Sequence, residues 1–314
     1  MIQDSFGKDN NGILKYKGRD NYMEDYIVRA TAAQSTVRAV AAVTTNMVRE
    51  ARNIHELSPL ASVALGRTMT AAALMSTFLK GAKDTLTLQI KGDGPIGGIV
   101  VVSDSNANVR GYVHNPLVHL PLNENGRYDV AGAIGKNGYL NVIKDLGLKE
   151  PYIGYVKLIS GEIAEDITYY FASSEQIPSA VALGVLTNSE DLIQSAGGFI
   201  IQLMPDAEEN TISNIEKKIS TLPSLTKLLS EGKTPEDILE LVLGEMNLKI
   251  GDKTSCQYKC NCSRERMERG LVSLGKDEIE SMIKEQHGAE TCCHFCNSKY
   301  QFSENDLVSL LENF

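Results

Sequence analysis

Cysteine is missing from the first 255 of the 314 residues, basic charge is in deficit, and no apolar run reaches the ~18 residues needed to span a bilayer. Each absence excludes something. Lys plus Arg number 31 against 40 Asp plus Glu, a formal net charge of −9. A general nucleic-acid binder needs a basic surface to displace counterions, and a polybasic membrane-surface protein needs charge of the same sign. Neither nucleic acid nor membrane is therefore an expected partner. The opening stretch MIQDSFGKDNNGILKYKGRDNY has no hydrophobic signal core, so a cytoplasmic location is expected. Thiols stay reduced there, and clustered cysteines read as metal ligands or redox groups before structural disulfides.

The length suits one large domain plus a smaller one, and 42% hydrophobic residues allow a packed core. Met1–Tyr22 is polar and unpatterned, whereas Met23 opens MEDYIVRATAA, which alternates like a strand. Met23 is read as the natural start, with residues 1–22 a disordered tag or upstream extension. Lys17-Gly18-Arg19 is encodable by a purine-rich run resembling a bacterial ribosome-binding site, which lends this some support. An ordinary disordered N-terminus is the alternative.

From Met23 to Pro205 the pattern is mixed. DYIVRATAAQSTVRAVAAVTT reads as two strands around AQST, and TTNMVREARNIHEL as a helix. In SPLASVALGRTMTAAALMSTFLKG, Ser58 suits the cap, Pro59 the first helical position and Gly81 the stop, for a buried helix. DTLTLQIKGDGPIGGIVVVSDSNANVRGYV reads as a three-strand meander with turns at GDGP and DSNAN. YIGYVKLIS and EDITYYFASS read as further strands, IPSAVALGVL as helix or strand, and GGFIIQLMP as a short strand stopped by Pro205. Strands in antiparallel groups with segregated helices predict an α+β fold.

Composition changes at Asp206. Residues 206–255 are charged, helical in period and free of aromatics. Thr234-Pro235-Glu236-Asp237 is a helix start with cap, proline and acids near the positive dipole end. Short helices are marginal in water and must borrow stability by packing. The segment is a candidate conditional linker; an ordinary helical hairpin fixed on the main domain is the alternative.

Several motifs fail. Gly92-Asp93-Gly94-Pro95-Ile96-Gly97 matches GxGxxG, but GIVVVSD follows as strand where a dinucleotide site needs a helix. Gly232-Lys233-Thr234 resembles the end of a P-loop, but Lys227 stands where its first glycine belongs. His55, His114 and His119 are scattered and read as surface or core residues rather than ligands.

All six cysteines lie between positions 256 and 296. Cys260-Asn261-Cys262 and Cys293-His294-Phe295-Cys296 form two chelating pairs thirty residues apart. Four thiolates suit tetrahedral zinc, and such a site closes a domain too small for a core of its own. Cys256 and Cys292 are left over and read as spare thiols. His287 and His294 are substitute ligands with no better spacing. Arg264, Arg266 and Arg269 follow closely, and positive charge favours thiolates, which oxidants attack. C-x-C makes a strained, easily reduced ring, so the arrangement suits reversible switching better than bracing. Oxidation would remove the ligands together with the folding free energy the metal supplies, and the marginal helices nearby could melt.

CNCSRERMERGL, the thirty-residue gap and CHFCNSKYQF resemble the 33 kDa chaperonin family, the redox-regulated heat-shock holdases of bacteria. ALGRTMTAAALM, LQIKGDGPIGGIVVVSD, VRGYV and GGFIIQLMPDAEE fit it in the expected order, so the resemblance runs from about Met23 to the end. It implies an N-terminal α+β chaperone domain over 23–205, a metastable helical linker over 206–255 and a C-terminal zinc-binding redox switch over 256–314. It implies one zinc ion on Cys260, Cys262, Cys293 and Cys296 in an inactive reduced state. It further implies Cys260–Cys262 and Cys293–Cys296 disulfides on oxidation, release of zinc, unfolding of the linker and exposure of apolar surface. That surface would hold unfolding client proteins without ATP or catalysis, with dimerisation on activation. Cys256 and Cys292 depart from the four-cysteine pattern, and Cys292 could capture a neighbour.

Two other classes compete. A zinc-ribbon-like nucleic-acid adaptor meets an acidic zinc region, with 7 Lys plus Arg against 10 Asp plus Glu from Cys256 to Phe314. A thiol–disulfide oxidoreductase using Cys293 and Cys296 lacks a thioredoxin-like pattern.

Overall fold

Apolar period two lays down strands and a period near 3.6 makes helices. A computed structural model describes residues 6–8, 14–16, 24–188, 190 and 192–311. Strands β1 (Phe6–Lys8) and β2 (Leu14–Tyr16) pair antiparallel. The other expectations for Met1–Tyr22, and the start at Met23, lie outside the described residues. Next come β3 (Tyr26–Ala32), β4 (Val37–Val43), α1 (Thr45–His55), α2 (Pro59–Ser76), β5 (Thr85–Lys91), β6 (Ile99–Asp104) and β7 (Asn108–Val113). Then follow α3 (Val130–Ile134), β8 (Tyr139–Asp145), β9 (Tyr152–Lys157), α4 (Ile163–Ser173), β10 (Ser179–Thr187) and β11 (Ile193–Leu203). The segment after Pro205 supplies α5 (Glu209–Thr221), α6 (Leu225–Ser230), α7 (Pro235–Leu243) and β12 (Lys249–Ser255). The chain continues through β13 (Gln257–Tyr258), α8 (Arg264–Val272), α9 (Lys276–Gln286), β14 (Gly288–Cys292), β15 (Lys299–Ser303) and α10 (Glu304–Leu311).

The fold is α+β. One sheet runs β10-β11-β4-β3-β12 and a second β13-β7-β6-β5-β8-β9. All pairs are antiparallel except β13 beside β7. Helix α2 packs against strands of both sheets, so sixteen of its eighteen residues are buried. Its start is as expected: Pro59 opens the helix and the Ser58 hydroxyl accepts from the Ala61 amide. Its end is five residues earlier than Gly81. The Ser76 and Thr77 hydroxyls donate back to the carbonyls of Ala73 and Leu74 and close the last turn.

One strand reading and one helical reading are corrected. EDITYYFASS lies in helix α4: Ile163, Ile167, Tyr170 and Phe171 fall on one buried stripe. Its β-branched and aromatic content mimics a strand, but the period of burial is helical. Conversely Lys249–Ser255, read within a helical segment, is strand β12, paired to β3. That pairing spans more than two hundred residues of sequence and has no local signal.

Helices α5, α6 and α7 cover the five-stranded sheet. Val28, Ala39, Ala41, Phe199 and Ile201 face Ile215, Leu228, Ile238, Leu239, Val242 and Leu243 in one apolar cluster. The Thr234 hydroxyl accepts from the Asp237 amide while the Asp237 carboxylate accepts from the Thr234 amide, a full capping box. The C-terminal unit has a small core of its own, with Leu271, Ile279, Phe302, Leu307 and Leu310 buried.

Candidate metal centre

The sulfur residues sit at two anchored turns. After β12 the Cys256 amide donates to the Asp25 carbonyl at 3.1 Å, and the chain crosses to the other sheet as β13. The Lys259 amide donates to the Val109 carbonyl at 2.8 Å, which fixes Cys260 at the sheet edge. Ser263 then caps α8 by accepting from the Arg266 amide, so the C-x-C turn runs straight into a helix. On the other side, the β14–β15 hairpin pairs Cys292 with Lys299. Between them a tight knuckle forms: the Cys293 carbonyl accepts from the amides of Cys296 at 3.2 Å and Asn297 at 2.8 Å. Asn297 sits at φ +56°, a left-handed position asparagine tolerates.

These turns bring Cys260, Cys262, Cys293 and Cys296 together, with all four Sγ atoms within 4.8 Å of one another. Cys260 approaches Cys293 at 3.7 Å and Cys262 approaches Cys296 at 3.3 Å. A tetrahedral zinc with Zn–S near 2.3 Å sets its sulfurs about 3.8 Å apart, so the donor set fits. These close approaches run across the two half-sites, interleaving C-x-C with C-x-x-C. As thiols, Cys260 and Cys293 are pushed up, first by burial. Burial also opposes ionisation of Cys296, but its hydrogen bonds with Ser298, Cys262 and Cys260 together outweigh that and hold this thiol below its usual value. A bound dication overrides that spread, because a coordinating thiol loses its proton outright.

Two residues support the sulfurs from behind. The Tyr300 hydroxyl lies 3.1 Å from Cys262 Sγ, and the Ser298 hydroxyl 3.2 Å from Cys296 Sγ. Hydrogen bonding with Cys262 pushes the Tyr300 hydroxyl up, so it stays protonated and able to donate to a thiolate there. Their place just beyond the C-x-x-C pair was the available signal.

Two of the three arginines are held by neighbouring groups. Arg264 pairs with Asp306 at 3.0 Å and Glu268 at 3.3 Å and lies over the Phe302 ring, while Arg266 donates to the Asn261 carbonyl. Both are engaged with the scaffold. The remaining singled-out residues lie elsewhere. Cys292 is exposed. His287 faces Glu304 at 3.4 Å. His55 meets the Tyr258 hydroxyl at 3.2 Å, and burial holds its ring below the usual value. His114 and His294 both pack on Tyr112, and His119 is exposed.

Cys256 belongs to the main core, 5% exposed, with its thiol pushed up by burial and then by the Asp25 charge. Cys256→Ser should therefore leave stoichiometric zinc binding intact while lowering stability by about 1–3 kcal/mol, the cost of burying a poorly partnered hydroxyl. Metal analysis alongside a denaturant titration checks both halves. Loss of metal would make Cys256 a ligand.

The family model described as Hsp33 protein matches residues 25–303. The chain is 68% identical over 290 residues to the 33 kDa chaperonin of Acetivibrio thermocellus, covering 92% of this chain and 98% of the relative. It is 60% identical over 290 residues to that of Ruminiclostridium cellulolyticum, covering 92% and 99%. It is also similar to the crystal structure of the 33 kDa chaperonin, a heat shock protein 33 homolog, from Thermotoga maritima. That match has a TM-score of 0.86 at 46% identity and covers 93% of this chain and 99% of that one.

Proposed function

The chain belongs to the Hsp33 protein family, and on that premise we propose that it is a redox-regulated, ATP-independent holdase chaperone. The observation that carries the redox half is the gathering of four Sγ atoms within 4.8 Å of one another at the end of a segment that covers an apolar sheet. The proposed division is a chaperone domain over 23–205, a conditional linker over 206–255 and a redox switch over 256–314.

In the reduced state Cys260, Cys262, Cys293 and Cys296 hold zinc, which when bound supplies folding free energy to a unit of small core. Peroxide converts each pair of thiols to a disulfide, Cys260 with Cys262 and Cys293 with Cys296. Each pair of coordinated thiolates gives two electrons to one peroxide, solvent supplies two protons, and that peroxide leaves as two waters. Sulfurs so joined no longer serve as thiolate ligands, and the C-terminal unit loses its brace. Helices α5–α7 then lift from the five-stranded sheet and uncover Val28, Ala39, Ala41, Phe199 and Ile201. Unfolding clients bind that surface stoichiometrically, in the cytoplasm, with the activated protein a homodimer. No helix among the described residues is long and apolar enough to cross a membrane.

Light scattering from an aggregating, chemically unfolded client tests this without ATP. The oxidised protein is expected to suppress scattering and the reduced, zinc-loaded protein to leave it unchanged. Equal suppression by both forms would mean a constitutive chaperone with a structural metal site. Suppression by neither would return the adaptor and oxidoreductase readings.

A further inference from the structure

The Cys293–Cys296 knuckle does more than offer two sulfurs, because its tip is seated on the six-stranded sheet. The Phe295 ring meets Tyr112 edge-on with centroids 5.3 Å apart, and the Arg110 guanidinium lies 5.1 Å from the Phe295 centroid. The Phe295 carbonyl accepts from the Tyr258 hydroxyl, and the Asn297 side chain donates to the Ile54 carbonyl at 2.7 Å. A short turn of the C-terminal unit is thus fastened to β7 and to the end of α1.

Register defines the face beneath it. Residues opposite one another in antiparallel neighbours point the same way. Arg110 pairs with Val102, Val102 with Thr87, Thr87 with Ile143 and Ile143 with Ile153. A second row runs from Tyr112 through Val100, Gln89 and Asn141 to Tyr155. Both rows cross the sheet from β7 to β9; their residues on β5–β8 are partly exposed and those on β9 exposed, while the alternate residues are buried. At the far end Ile153 is 58% and Tyr155 57% exposed, on the strand that ends the sheet order. Pro151 just before β9 and the exposed Lys157 at its end screen the two ends of this edge, leaving Ile153 and Tyr155 between them. A mixed apolar face beside a terminal strand fits an extended chain of varied sequence carrying apolar side chains at alternate positions. Phe295 already supplies one such side chain from within the molecule.

We propose that the outer face of the six-stranded sheet binds extended apolar segments of unfolding proteins, and that the Phe295 knuckle occupies its β7 end until the sulfur site opens. This rests on the holdase reading and adds a second surface to the one beneath α5–α7. It also gives the sulfur site a direct hold on that surface, since Phe295 and Asn297, which fasten the turn to β7 and α1, lie within and next to the Cys293–Cys296 pair.

The test uses full-length, reduced, zinc-loaded Phe295→Ala and a photoreactive peptide of alternating Leu, Phe and polar residues. Zinc content should match wild type. The crosslinked fraction should rise about fivefold, the shift that about 1 kcal/mol of aromatic contact holds back, with adducts on β7, β8 and β9. In the oxidised protein, Val102→Glu should remove most of this crosslinking. Where that variant loses its fold, Tyr155→Ser at the exposed end should show the same loss. The proposal is overturned when oxidised wild type suppresses client aggregation yet Phe295→Ala captures no more peptide than wild type, or adducts fall only beneath α5–α7. Failure of oxidised wild type to suppress aggregation would remove the holdase reading, and this inference with it.

Discussion

Full-length protein carrying Cys262→Ser is expected to purify without stoichiometric zinc and to lose amide-exchange protection throughout α8–α10 and the β14–β15 hairpin. The reason is the scale of what remains. The unit buries Leu271, Ile279, Phe302, Leu307 and Leu310, and its helices run eight to eleven residues. Helices of that length are marginal in water, and a lone two-stranded hairpin is no better. A structural zinc site contributes apparent binding free energies of about 10–16 kcal/mol in small peptides at neutral pH, more than such a core supplies. Removing one of four sulfurs forfeits most of that. Protection in β5–β8 should persist, because that sheet and α2 share an apolar cluster that takes in Cys256 but no residue of 264–311. Exchange measured by mass spectrometry, with metal analysis on the same sample, reads both effects. Retained protection over residues 264–311 in metal-free protein would show that the unit folds on its own side chains, and the switch would have no lever.

The residues that carry this argument were plain in the sequence because their signal is local. Two chelating pairs, a helix start at Thr234-Pro235 and a capped, small-residue helix at Ser58-Pro59 each declare themselves within a few positions, and the structure builds both helix starts as expected. Hidden features depended on distant partners. Lys249–Ser255 is short and charged, and only the free edge of β3 makes it a strand. EDITYYFASS has strand-like composition, and only the buried stripe of Ile163, Ile167, Tyr170 and Phe171 makes it a helix. Phe295 is one apolar residue in a C-x-x-C turn until Tyr112, far away in sequence, turns it into a docking group. Arg264 misled in the opposite sense. Its nearness to Cys262 suggested a field on the sulfurs, but Glu268 is one helical turn away and Asp306 lies across the unit. Ion pairing with those acids decides where the side chain goes.

A second large effect is expected from Leu239→Ala in the reduced, zinc-loaded protein: client aggregation suppressed without oxidant. Leu239 is fully buried where α7 meets the five-stranded sheet, beside Ile238, Val242 and Leu243. Truncating a buried leucine to alanine costs about 2–5 kcal/mol, and the sum depends on how well the site collapses. Within a packed domain that loss is shared by the whole core. The cover is different: α6 has six residues and α7 nine, and both depend on tertiary packing for their helicity. Its capping box and the Glu236 bonds to Tyr26 and Lys253 tether the start of α7 but bury little apolar area. The loss should therefore fall on opening of residues 209–243 rather than on global unfolding. Exchange should report α5–α7 released while β3, β4 and β11 stay protected, and an apolar dye should bind the uncovered sheet. Cooperative loss of protection in cover and sheet together would show an ordinary fixed helical layer, and the conditional linker would fall. Release of the cover with scattering unchanged would mean that the face carrying Phe199 and Ile201 does not hold clients, leaving the outer face of the other sheet as the surface that does.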